Sequence, residues 1–317
     1  MHSSPTPAEA YGAIAANVQR VILGKPEVVR LAVVALFAEG HLLIEDKPGL
    51  GKTTLARCLA ASVRGRWSRI QFTPDLLPSD ITGASVYHQG SESFEFHHGA
   101  IFANVVLADE INRATPKTQS ALLEVMAERA VTVEGTRYEV PRPFMVVGTQ
   151  NPIELQGTYR LPEAQLDRFL MRVSVGYPDH DTEVQVLLGD HGGITPEQLP
   201  AVIDLPTLER VIADVRAVKT HPEVCSYAVR IAAASRAHSD VLYGASPRGS
   251  LALLRAARAW AATDNRGWVT PDDVNDVAHA VLEHRVILSP EAELGRRTAR
   301  DVVIQIVEST PAPVSRA

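Results

Sequence analysis

Nine consecutive residues could hold a polyphosphate. Asp46-Lys47-Pro48-Gly49-Leu50-Gly51-Lys52-Thr53-Thr54 follows a short apolar run and precedes a helical pattern. The spacing is that of a P-loop, GxxxxGK[ST], with one departure: Asp46 stands where Gly is usual. Backbone N–H groups of residues 49–54 would wrap the phosphates, helped by the positive end of the helix that follows. Lys52 would neutralise the β- and γ-phosphate oxygens, and the Thr53 hydroxyl would hold Mg²⁺. Read instead as an ordinary strand-to-helix turn, the segment has a fault. A cation in the first helical turn opposes the helix dipole, at a cost of about 0.3–1 kcal/mol. A bound polyphosphate removes that conflict. With only five lysines in the chain, finding one here is informative. The Asp46 departure bears on nucleotide affinity rather than on the identity of the site.

Two further strand ends carry matching chemistry. Val105-Val106-Leu107-Ala108 runs into Asp109-Glu110. An acid at the end of a buried parallel strand sits at the carboxyl edge of the sheet, where ligands bind. Asp109 would hold Mg²⁺ through water, and Glu110 would orient and deprotonate the attacking water. Alone, this run reads equally well as a solvated strand end; the P-loop upstream tips the reading. The next apolar run, Phe144 to Thr149, ends in Gln150-Asn151-Pro152. Asn151 would reach the γ-phosphate or the water from an adjacent strand, and otherwise is a turn-forming Asn before Pro.

The elements that must position these residues follow from periodicity. A helix is expected from Pro26, closing near Gly40 as C-cap. Strands are expected at 41–45, 67–72, 105–108 and 144–149, with helices at 52–63 and 118–129 between them. Strands alternating with helices predict a mostly parallel sheet flanked by helices. Two inserts read as β-hairpins, Val86 to Phe96 turning at Gly90 and Val131 to Val140 turning at Glu134-Gly135. After Tyr177-Pro178 no convincing strand follows. Helices are expected at about 206–218, 222–238, 247–263, 271–287 and 291–308. Thr270-Pro271-Asp272-Asp273 and Ser246-Pro247 are helix starts. The division therefore falls at about residue 190, giving an α/β domain over 1–190 and a helical domain over 191–317. Residues 1–8 and 309–317 read as frayed ends.

Composition narrows the function classes. At 317 residues and 45% hydrophobic, the chain can bury a two-domain core. A net charge of -6 argues against bulk nucleic acid as the main partner. Cys58 and Cys225 are too few for a disulfide framework or zinc site and read as core residues of a cytoplasmic protein. No signal peptide and no membrane span is expected. His97 and His98 flank the first hairpin. With no third ligand clustered in sequence they read as surface or hydrogen-bonded histidines. Trp260 and Trp268 read as lid packing, and the arginines of 248–258 as a solvated helix face.

At this point the residues resemble a known family. Gln71-Phe72-Thr73-Pro74-Asp75-Leu76-Leu77-Pro78, Gly99-Ala100-Ile101-Phe102, Leu107-Ala108-Asp109-Glu110-Ile111-Asn112-Arg113, Gly148-Thr149-Gln150-Asn151-Pro152 and Leu161-Pro162-Glu163-Ala164-Gln165-Leu166-Asp167-Arg168-Phe169 are similar to the MoxR family of AAA+ ATPases. The similarity runs from about Gly24 to Pro178 and returns at Gly244 to Arg248. It implies a P-loop AAA+ core with a C-terminal all-helical lid. It places Lys52 and Thr53 at the Walker A positions, Asp109 and Glu110 at Walker B, and Asn151 at the first sensor. Arg168 matches the arginine finger and Arg248 the second sensor, on the lid. Val21-Ile22-Leu23-Gly24 falls where such proteins line the adenine site, so Ile22 and Gly24 are expected there. The two hairpins match the helix-2 and pre-sensor-1 inserts. The chain departs from the pattern at Arg160, where Pro is usual, leaving a second arginine near the interface.

The residues by themselves support the arginines less. Arg248 opens a helix against the dipole and invites an anion, whereas Arg168 could pair with Asp167. The resemblance implies ATP and Mg²⁺ as cofactors and a ring, hexameric by analogy, in which a finger completes the neighbour's site. It also implies chaperone-like maturation of a client beside a von Willebrand factor A domain protein. A nucleotide-sensing module with little turnover is the alternative, against which Glu110 speaks. A small-molecule kinase and a DNA-acting AAA+ protein are weaker readings.

Overall fold

The computed structural model describes residues 4–47, 49–90, 92–151, 158–159, 161–188 and 194–313. In chain order its strands are β1 (Leu42–Glu45), β2 (Trp67–Gln71), β3 (Gly83–His88), β4 (Ser93–His98), β5 (Val105–Asp109), β6 (Ala130–Val133), β7 (Thr136–Glu139), β8 (Met145–Gln150), β9 (Met171–Val173), β10 (Val241–Tyr243) and β11 (Ile287–Leu288). Five form the central sheet in the order β2-β5-β8-β1-β9, and every pairing within it is parallel. The expected hairpins are β3–β4 and β6–β7. The three-residue β9 was not expected; it is too short to show a period.

Alternate residues of the strands feed two cores, as the two-residue period of a strand requires. Leu42, Ile44, Val105, Leu107, Met145 and Val147 face one. Leu43, Val106, Ala108 and Val146 face the other. On the first face lie α1 (Pro7–Gln19), α2 (Pro26–Phe37) and α3 (Lys52–Ser62). The short α4 (Pro78–Thr82) and α5 (Pro116–Glu128) lie on the second. The chain continues through α6 (Glu163–Leu166), α7 (His180–Leu188) and α8 (Leu205–Ala217). Then come α9 (Pro222–Ala237), α10 (Pro247–Thr263), α11 (Pro271–Leu282), α12 (Pro290–Leu294) and α13 (Ala299–Ser309). Buried Leu253, Val277 and Val302 of these later helices belong to the same apolar cluster as Ile14 of α1 and Leu36 of α2. The helical half and the α1–α2 layer therefore share one continuous core.

Several local expectations need correction. Residues 1–8 do not all fray: Thr6 caps α1, with Glu9 N donating to its hydroxyl at 3.3 Å and Thr6 N donating to the Glu9 carboxylate at 2.7 Å. This capping box was present in the sequence as Thr6-Pro7-Ala8-Glu9. Helix α2 ends at Phe37, and the left-handed residue after it is Glu39 (φ 47), not Gly40. The Glu39 carboxylate is held by Arg129 at 3.1 Å and by Arg216. Gly40 is required for space: a Cβ there would lie 2.3 Å from a Leu170 methyl carbon. The helical half contains one short antiparallel pair, β10–β11. The helix expected over 291–308 is broken at Gly295–Arg297 into α12 and α13. Trp260 packs as expected, with Arg30 3.6 Å above its ring, but Trp268 is exposed. The arginines of α10 are not merely solvated. Arg255 donates to Ala38 O at 2.7 Å and Arg258 to Thr220 Oγ1 at 3.0 Å. Cys58 is buried as expected, and burial pushes its thiol up to about 12.

One lid side chain fastens the helical half to the sheet. Arg285, in a 3₁₀ turn after α11, is buried against the segment leading into β9. Its Nε donates to Asp167 Oδ1 at 2.6 Å, and its other nitrogens reach Phe169 O at 2.6 Å, Asp167 O at 3.1 Å and Leu170 O at 3.2 Å. Burial lowers the Arg285 pKa, while Asp167 counters that shift. Neighbouring His284 sits 3.1 Å from Phe169 O, and burial drives its pKa well below the usual imidazole range, so it stays neutral. Removing one partner of a buried ion pair leaves the other uncompensated, at a cost of about 3–5 kcal/mol. Arg285→Ala is expected to lower stability by an amount of that order, read from the urea midpoint. The double variant with Asp167→Ala should cost clearly less than the sum of the two single variants.

Candidate functional site

The P-loop begins where β1 ends. Gly49 (φ 83) and Gly51 (φ 79) take left-handed backbone, which excludes side chains by conformation rather than by crowding. Gly51 is the N-cap of α3, and no side chain caps the helix. The first-turn N–H groups of Lys52, Thr53 and Thr54 thus lack the partners that a helix start normally finds. Lys52 is buried, and its Nζ donates to two carbonyls, Asp46 O at 2.7 Å and Gln150 O at 3.4 Å. No carboxylate pairs with it among the described residues. At the end of the neighbouring strand β8, Gln150 Nε2 is a buried donor with no hydrogen-bond partner among the described residues. A cation, an uncapped helix start and an orphaned donor together fit an anionic polyphosphate. Leu50, Thr53 and Thr54 are half-buried, and the Lys47 ammonium lies 5.4 Å from the centre of the Tyr177 ring. Pro48 lies outside the described residues.

Asp46 has a structural task. Its carboxylate turns to the segment after β9, where it accepts from Ser174 Oγ at 3.0 Å, from Gly176 N at 3.2 Å and from Val175 N. Only its backbone carbonyl meets Lys52. The departure from Gly therefore ties the P-loop to the chain beyond β9 and leaves the cradle clear.

The two acids at the end of β5 are organised by a residue to which the sequence reading assigned no role. Thr149, fully buried on β8, donates its hydroxyl to Asp109 Oδ1 at 2.7 Å and accepts the Glu110 N–H at 2.9 Å. Asp109 Oδ2 accepts from Arg69 at 2.6 Å. Each carboxylate oxygen keeps a further lone pair, so Asp109 could still meet a hydrated cation. Glu110 holds a left-handed backbone (φ 57, ψ 49), uncommon for a non-glycine residue and a mark of sites where strain is retained. Its carboxylate accepts from Gln71 at 3.1 Å and Arg113 at 2.8 Å. Gln71 and Asp109 are register partners across β2 and β5. Gln71 closes β2 and Arg69 lies two residues before it on the same face, but strand order was needed to bring them beside the acids.

Asn151 is buried just past β8, and its carbonyl accepts from Asn112 at 3.4 Å. Ile22 is buried beside the P-loop: a Cβ on Gly51 would lie 3.9 Å from its terminal methyl. Gly24 (φ 67) backs onto α7, where a Cβ would lie 2.7 Å from Thr182 Oγ1. Lys52, Thr53, Asp109, Glu110 and Asn151 thus gather at the carboxyl edge of the sheet. Arg168 and Arg248 do not join them. Both line a cavity of about 380 Å³ shared with Gly40, His41 and Leu170, before β1 and β9 begin. The length of β1, about 13 Å at roughly 3.3 Å per residue, separates this edge from the P-loop. Arg168 donates to Leu123 O. It does not pair with Asp167, whose carboxylate takes Arg285 and Ser246 Oγ. Arg160 lies outside the described residues.

A P-loop followed by an acid pair on a neighbouring strand, in a parallel sheet with a helical carboxy half, defines an AAA+ type protein. The comparisons agree. Residues 41–171 match the model of the ATPase family associated with various cellular activities, and residues 233–306 match the AAA lid domain. The chain is 42% identical to the chaperone MoxR1 of Mycobacterium tuberculosis, over 93% of this chain and 80% of the relative. It is 46% identical to the uncharacterised protein YeaC of Bacillus subtilis, over 95% and 94%. A crystal structure from Cytophaga hutchinsonii, described only provisionally as an ATPase, superposes with a TM-score of 0.89 at 35% identity, covering 97% of this chain and 96% of that one. The chain belongs to the MoxR family of AAA+ ATPases.

The Asp46 contacts generate a prediction. Hydrogen bonds to charged groups contribute roughly 1.5–3 kcal/mol each, partly replaced by water when lost. Asp46→Gly, which restores the usual P-loop residue, is expected to lower unfolding stability by about 2–4 kcal/mol without tightening nucleotide binding. Urea unfolding and titration with a fluorescent ATP analogue check the two halves. A gain in affinity would return Asp46 to the cradle.

Proposed function

We propose that the chain hydrolyses ATP, ATP + H₂O → ADP + phosphate, as one subunit of a ring. The observation that carries this reading is Thr149, whose single hydroxyl organises both the Asp109 carboxylate and the Glu110 backbone beside the P-loop. Residues 49–54 would hold the phosphates, Lys52 would neutralise their β/γ oxygens, and Ile22 and Gly24 would border the adenine. Mg²⁺, held by the Thr53 hydroxyl and through water by Asp109, would withdraw charge from the phosphate oxygens when bound. Glu110 would take the proton of the attacking water, with Gln71 and Arg113 orienting its carboxylate. Asn151 would orient the water or the γ-phosphate.

Arg168 and Arg248 lie at the wrong edge for their own site, and this supports a shared one. Beside them Leu242, Tyr243 and Leu251 are exposed. An apolar face that carries two arginines suits the neighbour's nucleotide edge. The ring would be a hexamer by resemblance, with residues 1–190 as the nucleotide-binding domain and 191–317 as the lid. Partner remodelling is supported by the name of the chaperone relative and by Tyr87 and Phe94, an exposed ring pair at the end of the first hairpin. A von Willebrand factor A domain protein and a client needing maturation belong to the same proposal, as does a cytoplasmic setting. Among the described residues no helix is long and apolar enough to cross a membrane.

Glu110→Gln is expected to keep ATP binding and lose about 10²–10⁴ in turnover, the usual range for a general base. Lys52→Ala should weaken binding itself. Equal loss of binding and turnover in Glu110→Gln would assign that residue to holding the nucleotide.

Assembly is tested by mixing. Arg168→Ala should bind ATP almost normally and hydrolyse it slowly, since an arginine finger is worth about 10³–10⁵ where measured in GTPases. Mixed with Glu110→Gln subunits it should regain part of the phosphate release, because some interfaces then pair an intact Glu110 with a neighbour's Arg168. Mixed rings that form and stay inactive would leave Arg168 as an intrachain residue.

A further inference from the structure

We propose that His88, Glu95 and His97 form a binding site for one divalent transition metal of the zinc class, on the β3–β4 hairpin. The site is separate from the nucleotide edge and independent of the ATPase reading.

The hairpin register puts the three residues on one face. Ala84 pairs with His97, Val86 with Glu95 and His88 with Ser93, so His88, Glu95 and His97 alternate to the same side. The other side is occupied: Phe96 stacks on Tyr138 of the second hairpin, with ring centroids 4.1 Å apart, and His98 packs on Phe102 at 4.2 Å. The two adjacent histidines therefore part company. His98 joins an aromatic cluster, while His97 turns to solvent and finds the two partners that the linear sequence did not reveal.

The spacing is that of ligands around an ion. His88 Nε2 lies 3.3 Å from His97 Nε2 and 3.2 Å from Glu95 Oε2. The three ligand atoms lie within 4.8 Å of one another. For a tetrahedral ion with bonds of about 2.0–2.1 Å, ligand atoms sit roughly 3.3 Å apart. Hydrogen bonding alone serves this arrangement poorly. A neutral imidazole nitrogen carries either a proton or a lone pair, yet His88 Nε2 faces both a ring nitrogen and a carboxylate oxygen. One cation satisfies all three groups through lone pairs.

The donor set selects the class of ion. Two imidazoles and one carboxylate suit Zn²⁺ and its neighbours Co²⁺, Ni²⁺ and Cu²⁺, whereas Mg²⁺ favours oxygen ligands. Three protein ligands leave a fourth position for water or for a side chain of a bound partner. The ion would clip the outer ends of the two strands together, on the face opposite the exposed Tyr87–Phe94 pair.

The test uses the untagged, nucleotide-free full chain. Calorimetric titration with Zn²⁺ is expected to show one site per chain. Each of His88→Ala, His97→Ala and Glu95→Gln should weaken it by at least about tenfold, since each removes one of three ligands. Co²⁺ should give the visible absorption of a four- or five-coordinate ion in the wild type and lose it in His97→Ala. Asp109→Asn and His180→Ala, which lie outside the cluster, should bind Zn²⁺ as the wild type does, and millimolar Mg²⁺ should not displace it. Absence of Zn²⁺ binding by the wild type, wild-type affinity retained in His88→Ala or His97→Ala, or loss of the site in Asp109→Asn would each overturn the proposal.

Discussion

Because all five strands of the central sheet run the same way, the sheet has two unlike edges, and the chemistry is sorted between them. Whatever follows a strand gathers at one edge, and whatever precedes a strand gathers at the other. Gly49 to Thr54 follow β1, Asp109 and Glu110 close β5, and Asn151 follows β8. Arg168 precedes β9, and Arg248 lies beside it and beside His41, which precedes β1. Under the proposed mechanism the chain therefore holds both halves of a site that it cannot close on itself. Under that mechanism assembly would follow from the direction of the strands.

Buried polar groups join the parts that must keep register. Thr149 couples two strands through one hydroxyl, so the positions of Asp109 and Glu110 are set together. Asp46 ties the P-loop to the backbone after β9. Arg285 grips the carbonyls on either side of Arg168 as well as the Asp167 carboxylate. The residue proposed to serve a neighbour is thus framed by the helical half of its own chain. These contacts are buried or partly buried, where an unpaired group is costly. The apolar core that runs from α1 and α2 into the later helices supplies the non-directional part of the same attachment.

Local signals carried much of the fold. The capping residues Thr270 and Ser246, the four main strands and both hairpin turns were legible from spacing because each depends on neighbours in sequence. The Thr6–Glu9 capping box is local and visible in the sequence; the other departures share one cause, contacts between residues distant in sequence. Glu39 in the left-handed region is held by Arg129 and Arg216, far away in sequence, and no propensity rule anticipates it. β9 is a strand because β1 offers it an edge, not because three residues prefer to be extended.

By itself the sequence determined which residues could do chemistry: the P-loop glycines and lysine, the acid pair, and the asparagine at the next strand end. Those assignments need only residue type, local backbone and the nearest element. The tertiary structure decided which of them meet. It put Gln71 and Arg113 on the Glu110 carboxylate and Thr149 beneath both acids. It gave Asp167 to Arg285 and left Arg168 free of it, and it turned His97 away from His98 toward His88 and Glu95. Such contacts join residues up to more than a hundred positions apart. They depend on strand order, register and side-chain direction, and these are set only when the whole chain buries its apolar faces at once.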